Sequence, residues 1–334
     1  MSLTIGLTYD LRDDYLSQGF SQEAVAEFDS GETINALEQT LRELGFQTDR
    51  IGHARRLCER LVAGGRWDLV FNIAEGVSGR CRESQVPCIL DLYGIGYTFS
   101  DSLVCAATLD KSVAKRLVRN AGLATPDFRV VRDMADLKTV DMTHPLFAKP
   151  LAEGTGKGID GQSRIDTSDQ LATVCRDLLT RFAEPVLIEE FLPGREFTVG
   201  ILGNGSKARV IGTMAIEMLE GPKDGIYSYD FKERCDELIR YSTLQPGPLR
   251  KDVEDLALQS YLTLECRDAA RVDIRCDKNG RPSFMEINPL PGLHPTHSDL
   301  PMIATRAGMS YAELIDQIIK SALARLEVCD DAYV

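Results

Sequence analysis

The sequence predicts an α/β protein, α+β overall, with an N-terminal Rossmann-like parallel sheet followed by a two-part region richer in antiparallel strands. Three observations predict it. Short apolar runs alternate with helical patterns through the first hundred residues, the signature of parallel strands with helices on the faces of the sheet. Two long strand patterns, Glu196–Leu202 and Arg209–Met218, follow one another without a helix between them. Near the C-terminus, Arg271-Val-Asp-Ile-Arg and Met285-Glu-Ile-Asn-Pro289 flank Asn279-Gly280, which reads as the tight connection of a hairpin.

Each element has its own signal. Leu3–Thr8 is an apolar run. Ile34, Leu37, Leu41 and Leu44 recur at helical spacing and stop at Gly45, a C-terminal signal. Phe46–Ile51 reads as a strand, Arg55–Val62 as a helix and Asp68–Ile73 as a strongly apolar strand. A helix over Ser84–Tyr93 and a strand over Gly96–Phe99 complete the alternation. From Ser102 to Ala121 the pattern is helical, and Gly122 ends it. Strands are expected at Phe128–Val131 and Pro145–Lys149, then a loop from Pro150 to Asp160. Ser168–Phe182 is an amphipathic helix with Leu171, Val174, Cys175, Leu178 and Leu179 on one face, and Val186–Phe191 is a strand. After the two long strands comes a polar stretch with Tyr227 and Tyr229, and Leu219–Tyr241 is a candidate lid. A helix from Leu249 to about Arg267, the hairpin and a helix over Tyr311–Leu326 close the chain. The expected division is residues 1–100, 101–192 and 193–334.

Bulk properties narrow the function. A chain of 334 residues is long for one core and suggests two or three domains. With 43% hydrophobic and 27% charged residues it has the composition of a soluble globular protein. A net charge of −13 argues against nucleic acid, whose phosphates need clustered Lys and Arg. The N-terminus runs straight into Asp10, Arg12, Asp13 and Asp14, which predicts no signal peptide, and no apolar run is long enough to span a bilayer. The nine cysteines lack Cys-x-x-Cys pairs. They read as reduced thiols, most of them small buried apolar residues, in a cytoplasmic protein.

The hairpin carries the chemistry. Asp273, Glu286 and Asn288 are hard oxygen donors. Glu286 and Asn288 are two apart and share a strand face, and the expected pairing sets Asp273 opposite both. Oxygen donors without His or Cys suit Mg²⁺, which binds through carboxylates together with substrate phosphates. This points to a nucleotide-dependent enzyme, and the acidic net charge does not exclude ATP, whose phosphates a local basic cleft and Mg²⁺ neutralise. Lys149 ends its apolar strand just before the loop Glu153-Gly154-Thr155-Gly156-Lys157-Gly158. Glycines let backbone N–H groups approach phosphate oxygens, and lysines supply charge. The loop is not a Walker loop, which needs Gly-Lys-Ser/Thr leading into a helix; alone it reads equally as a flexible hairpin. Glu189, Glu190, Phe191 and Leu192 follow a strand whose edge offers backbone groups to an adenine. Glu196 is placed to accept from ribose hydroxyls. Taken singly, such glutamates are ordinarily solvated surface residues.

In this order the motifs resemble the ATP-grasp superfamily. They run strand-Lys-Pro with a Gly-rich loop, Val-Leu-Ile-Glu-Glu-Phe-Leu-Pro-Gly-Arg-Glu-Phe-Thr-Val, Arg-Val-Asp-Ile, and Met-Glu-Ile-Asn-Pro-Leu-Pro-Gly-Leu. The nearest likeness is to D-alanine–D-alanine ligases, over roughly residues 68–320, with Leu109-Asp-Lys111, Lys115 and Tyr97-Thr-Phe-Ser-Asp101 resembling the entry to their central domain. The resemblance implies ATP held between two sheets. Lys111 and Lys149 would contact its phosphates under the loop Glu153–Gly158. Glu189, Phe191 and Leu192 would line the adenine pocket, and Glu196 would hold the ribose. Asp273, Glu286 and Asn288 would bind two Mg²⁺, with Mn²⁺ as a substitute, and Arg271 would neutralise a developing oxyanion. A homodimer is implied as well. The chemistry would be carboxylate activation to an acyl-phosphate, then amide formation with an amine.

The sequence departs from that family where amino-acid substrates would sit. The family's opening Gly-Gly-x-Ser-x-Glu is replaced by Thr8-Tyr-Asp-Leu-Arg-Asp-Asp-Tyr, leaving Glu23 or Glu27 for an ammonium. Its His-Gly loop is replaced by Asn72–Glu83, which carries Glu75, Arg80, Arg82 and Glu83. Arg80 and Arg82 are candidate carboxylate binders through bidentate forks, or else surface arginines. Thr155 stands for a serine of the family, and Glu233, after the catalytic candidate Lys232, for a tyrosine. Ser298 matches a position for the second substrate's carboxylate, with His294 and His297 beside it. No Cys–His or Ser–His–Asp nucleophilic arrangement is discernible. The leading reading is an ATP-dependent carboxylate–amine ligase with a diverged amino-acid site. The alternatives are a genuine D-alanine–D-alanine ligase of cell-wall synthesis, a small-molecule kinase of the same fold, or a non-catalytic ATP-binding regulator.

Overall fold

The computed structural model describes residues 2–218 and 239–332. Three sheets organise the chain. The first is parallel, with strands β1 (Thr4–Tyr9), β2 (Gln47–Gly52) and β3 (Leu69–Ile73) in the order β2-β1-β3. All five residues of β3 are buried, as a strand covered on both faces requires. A short helix, α1 (Arg12–Ser17), follows β1 and has no apolar periodicity to announce it. Helix α2 (Gly31–Glu43) starts where the Ser30 hydroxyl accepts from the Thr33 N–H, satisfying a donor the helix cannot. Its Ile34, Leu37 and Leu41 are buried. Helices α3 (Ala54–Val62) and α4 (Gln85–Tyr93) supply Leu57, Leu61, Val86 and Leu90 to a second apolar layer around Val70.

Two expectations from the pattern need correction here. Gly96–Phe99 is not a strand. It meets the sheet at one bridge, Val70 opposite Tyr97, and then leaves, because Phe99 takes φ +70° and donates its N–H to Asp268 at 2.8 Å. The helical stretch after Ser102 is two helices, α5 (Ser102–Leu109) and α6 (Lys111–Asn120). Asp110 breaks it by accepting from the N–H groups of Ser112 and Val113, an N-cap that restarts the helix.

The second sheet is antiparallel, with β4 (Phe128–Val131), β5 (Leu146–Pro150), β6 (Arg164–Ile165) and β7 (Val186–Glu190) in the order β4-β7-β5-β6. Helix α7 (Ser168–Phe182) covers it with Leu171, Val174, Cys175 and Leu178. A capping box between Thr167 and Gln170 opens that helix. The third sheet holds β8 (Glu196–Leu202), β9 (Arg209–Met218), β10 (Ile239–Thr243), β11 (Ala269–Cys276) and β12 (Pro282–Asn288), in the order β10-β9-β8-β11-β12. Helix α8 (Pro248–Thr263) backs it. It stops short of Arg267 because Glu265 turns into the left-handed region at φ +57°. Helix α9 (Asp299–Arg306) went unanticipated. The last helix, α10 (Tyr311–Ala332), returns to the first sheet, where Leu314, Ile315 and Ile318 join the core formed by Ile34, Leu37 and Leu41. Among the described residues no helix is long and apolar enough to cross a membrane.

The hairpin β11–β12 pairs Asp273 with Glu286 and Arg271 with Asn288. Asn288 therefore sits opposite Arg271 and not opposite Asp273, because antiparallel partners run in opposite directions; a bulge after Asp273, with one extra residue in β12, is what sets Glu286 opposite Asp273. The connection is longer than a two-residue turn. The Asp277 carboxylate accepts from the N–H groups of Asn279 and Arg281, and Gly280 takes φ +79°.

Asp268 joins three parts of the chain. It is 0% exposed and accepts from Phe99 N at 2.8 Å, Asn204 Nδ2 at 2.8 Å and Arg325 Nη2 at 2.9 Å. Removing one partner of a buried ion pair leaves the other charge uncompensated, at a cost of roughly 3–5 kcal/mol. Asp268→Ala is predicted to lower stability by about that amount in denaturant unfolding; a loss under ~1 kcal/mol, the scale of an exposed pair, would refute this role.

Candidate active site

Two hollows meet at the β11–β12 hairpin. The smaller, about 90 Å³, lies between the second and third sheets and is lined by Lys149, Glu190, Phe191, Leu192, Glu196 and Met285, among others. The larger, about 580 Å³, reaches from the segment before α2 to the loop after β12. Arg271, Glu286 and Asp299 line both, so the hairpin's polar face is where contents of the two would touch.

The smaller recess has an aromatic wall and a charged floor. Phe147 and Phe191 stack at 6.4 Å between centroids. The guanidinium groups of Arg164 and Arg275 sit 5.0 and 5.5 Å from the Phe191 ring, within cation–π range. Glu196 pairs with Arg275 at 3.2 Å. On the floor, Glu189 is 0% exposed and lies 3.0 Å from Lys115 Nζ and 3.1 Å from Lys149 Nζ. Burial alone would raise its carboxyl, but the two ammoniums hold it below the ordinary carboxylate range. Burial pushes Lys115 down to about 8 against the pull of Glu189. Lys149 is also buried, yet Glu189 and Glu286 carry it above its ordinary value. Glu189 thus borders the recess expected for an adenine, but its carboxylate is committed to the lysines.

The expected phosphate and metal residues converge. Lys149 Nζ and Lys111 Nζ stand 3.6 and 3.7 Å from the same Glu286 oxygen. Lys111 also donates to the Glu153 carbonyl at 2.6 Å, tying the glycine-rich loop to α6. Arg271 contacts Asp273 at 3.1 Å and Asp299 at 2.7 Å, and its buried Nε has no hydrogen-bond partner among the described residues. Asn288 Oδ1 accepts from Leu290 N at 3.0 Å. Within the loop, Gly156 lines the smaller recess, and Gly154 and Thr155 line the larger cavity. Lys232 and Glu233, and the lid candidate up to residue 238, lie outside the described residues.

The amino-acid candidates separate in space. Glu23 pairs with Arg181 at 3.3 Å on the surface, and Arg80 pairs with Asp110 at 2.7 Å, largely exposed; neither lines the larger cavity. Arg82 is buried, but its guanidinium serves Glu27 at 3.0 Å and the Ala152 carbonyl at 2.9 Å. Glu27 also accepts from Lys157 at 2.8 Å and from the Gly154 N–H. A Cβ on Gly154 would lie 2.5 Å from Glu27 Oε1, so only glycine allows this approach. Lys157 is held in turn by Glu153 at 2.8 Å. Burial would raise Glu27, but Arg82 and Lys157 bring it below its ordinary value. Glu75 and Ser298 do line the cavity. Ser298 Oγ accepts from His294 N at 2.9 Å.

Some site residues were not expected from the motifs. Asp29 and Asp299 line the larger cavity, and no local pattern marks them, because they arrive from the segment before α2 and the start of α9. Glu83, which the sequence offered only as one charge of the loop Asn72–Glu83, lines it as well. Lys115 does carry a signal: it stands four residues after Lys111 on α6, hence on the same helix face.

Burial raises both Asp29 and Glu83 to about 7. The folded chain then binds more protons than the unfolded chain between roughly pH 4 and pH 7, so these groups lower stability as pH rises through that window. Glu83→Gln is predicted to flatten the fall in melting temperature between about pH 5 and about pH 8. Equal slopes for variant and wild type would show that Glu83 is not the titrating group.

Residues 117–320 match the family described as D-ala D-ala ligase C-terminus. A D-alanine–D-alanine ligase of Aquifex aeolicus is 32% identical over 289 residues, covering 86% of this chain and 93% of its own length. An uncharacterised protein, y4sG, of Sinorhizobium fredii is 32% identical over 265 residues, covering 77% and 75%. The crystal structure of D-alanine–D-alanine ligase from Bacillus anthracis complexed with ATP aligns with a TM-score of 0.73 over 98% of this chain and 99% of its own, at 24% identity. That likeness is one of fold, the expected ATP-grasp arrangement. With a family match over more than half its length and a relative of this identity along most of it, the chain belongs to the D-alanine–D-alanine ligase family and is an ATP-dependent ligase joining carbon to nitrogen.

Proposed function

We propose that the chain activates a small amino-acid-like carboxylate as its acyl-phosphate and joins it to an amine, at a substrate site diverged from that of D-alanine–D-alanine ligases. The observation that carries this reading is the meeting of Lys111, Lys149 and Glu286 at the hairpin, where the two hollows share Arg271 and Asp299. The smaller recess would take ATP, with its base against Phe147, Phe191 and Leu192, its ribose near Glu196 and its phosphates toward Lys111, Lys149 and the loop 153–158. The larger cavity would take the acid and the amine. The same reading carries a division of the chain near residues 100 and 192, a homodimer and a cytoplasmic setting.

The donor set fits Mg²⁺. Asp273, Glu286 and Asn288 offer only oxygen, the ligand type of hard cations. Among the described residues no three His, Cys, Asp or Glu side chains close into a metal cage. Bound there, Mg²⁺ or Mn²⁺ would neutralise phosphate charge. The rest falls to the chain's own groups and the reactants. A carboxylate oxygen of the acid attacks the γ-phosphorus of ATP, and the bond from that phosphorus to the bridging oxygen breaks with ADP leaving. The amine nitrogen then attacks the acyl carbon, phosphate departs with the electron pair of the cleaved C–O bond, and the nitrogen gives up a proton. Lys111 and Lys149 hold the phosphates in line. The Arg271 guanidinium stabilises the oxyanion on the tetrahedral carbon. In this scheme the protein's part is positioning and charge neutralisation.

A second reading, a genuine D-alanine–D-alanine ligase, is favoured by the extended identity with the Aquifex aeolicus enzyme. One assay separates them: ADP release from Mg²⁺-ATP with single amino acids and hydroxylamine to trap acyl-phosphate. The proposal expects hydroxamate with an acid other than D-alanine, and D-alanine alone would establish the second reading. ADP without hydroxamate would overturn both in favour of a kinase or idle hydrolysis. Glu286→Ala is predicted to abolish turnover with the fold intact; full activity with Mg²⁺ would sink the metal assignment. Arg271→Ala should lower kcat about 10²–10³-fold, the scale for one oxyanion donor, and a near-normal rate would remove it from the mechanism.

A further inference from the structure

We infer that the acid activated by this ligase is an amino acid bearing a second cationic group, held in the larger cavity by Glu75 and Glu83. The inference rests on the ligase reading above and names the substrate class of the same site. Both carboxylates line the cavity. Glu83 is only 8% exposed, yet among the described residues neither its carboxylate nor that of Glu75 has an ion-pair or hydrogen-bond partner. Glu83 raises Glu75, while Arg82 pulls both down. A buried charge without a partner is costly.

The cations around them are already committed. Arg82 serves Glu27 and Ala152, and Lys157 serves Glu27 and Glu153. Arg80 is paired with Asp110. Arg12 donates to the Ala26 carbonyl and faces Asp29, which removes Asp29 from the count of uncompensated acids. Glu27, a candidate ammonium binder from the sequence, is likewise consumed. Two carboxylates that make no contact pair with a cation remain on the wall of the cavity, which Lys111 and Arg271 also line. Arg82 acts on both from a distance and Lys111 acts on Glu83, without a hydrogen bond or ion pair to either. A substrate carboxylate is drawn toward Lys111 and Arg271, and positive charge toward Glu75 and Glu83.

Charge decides the class. The α-ammonium of an amino acid neutralises one of the two acids. A methyl side chain leaves the other buried and unpaired, and a site built for a polar partner rejects the analogue that lacks it. An ammonium or guanidinium on the side chain neutralises both. Burial holds Glu83 near 7 against the pull of Arg82 and Lys111, and burial with repulsion from Glu83 holds Glu75 well above its ordinary value, as expected of carboxylates that ionise fully when a dication arrives.

The test measures hydroxamate formation by the full-length chain with Mg²⁺-ATP and hydroxylamine. The acids are 2,4-diaminobutyrate, ornithine and lysine, in both enantiomers, against norvaline, norleucine and alanine. The expected result is a kcat/KM about 10²-fold or more higher for at least one cationic acid than for its neutral counterpart, the scale of a buried charge pair. Glu83→Gln should cut that preference about tenfold or more, and Glu75→Gln provides the same reading should the first variant fail to fold. Neutral acids used as well as cationic ones would overturn this inference and leave the ligase reading standing. A cationic preference untouched in both variants would overturn the assignment to Glu75 and Glu83. Hydroxamate from none of the acids, with ATP bound, would overturn the ligase reading and this inference with it.

Discussion

The buried Glu189 carboxylate is the constraint on which the nucleotide half of the molecule depends. It sits on β7 with Lys149 of β5 on one oxygen and Lys115 of α6 on the other. Lys115 reaches further, to Thr125 Oγ1 at 3.2 Å and the Phe284 carbonyl of β12 at 3.3 Å. One carboxylate thus fixes the spacing of the helix, the second sheet and the edge of the third. Two ammoniums and one carboxylate out of water do not stabilise the fold by being there; a well-packed apolar trio would often do as well. What they provide is a net positive floor beneath a recess. Glu286 stands 3.6 Å from Lys149 at the edge of that floor.

The larger cavity is built on the opposite principle at its far end. Around Glu27 every charge is answered, since Arg82, Lys157 and the Gly154 N–H all converge on it. This cluster locks the glycine-rich loop to the segment before α2, although the two lie far apart in sequence. Beside it, Glu75 and Glu83 make no hydrogen bond or ion pair among the described residues, although Arg82 lies in the field of both. A saturated cluster next to an unsaturated one separates support from recognition: the first holds the loop's place, and the second leaves charge for a ligand to meet.

The two ends of the site also differ in how they relate to the family. The phosphate end uses residues that lie in the matching motifs, and its geometry brings Lys111, Lys149, Asp273 and Glu286 to one place. The acid end is drawn from the segments where the sequence departs from the family, Thr8–Tyr15 and Asn72–Glu83. Under the proposed reading, divergence in segments that border the larger cavity would change which molecule is chosen and leave the phosphoryl chemistry as it was.

Local signals were legible in the sequence because they depend on near neighbours. Ser168–Phe182, Glu196–Leu202 and Arg209–Met218 have the boundaries their periodicity indicates, since side-chain period and backbone type are coupled within a few residues. The hairpin's donors were legible for the same reason, although the antiparallel register sets Asn288 opposite Arg271 once Glu286 faces Asp273. Chemical type was also readable: oxygen donors, lysines and glycines in order imply phosphates and a hard cation. Tertiary structure alone decided which charges meet. Glu27 finds Arg82 across 55 positions and Lys157 across 130; Glu189 finds Lys115 in another element; Gly96–Phe99 leaves its sheet because Asp268, 169 positions from Phe99, takes its N–H. Arg80 and Arg82 look alike in the sequence, yet one is solvated and the other buried. Whether a charge is spent on a neighbour or kept for a ligand depends on distance and burial, and the chain sets both only when remote segments pack.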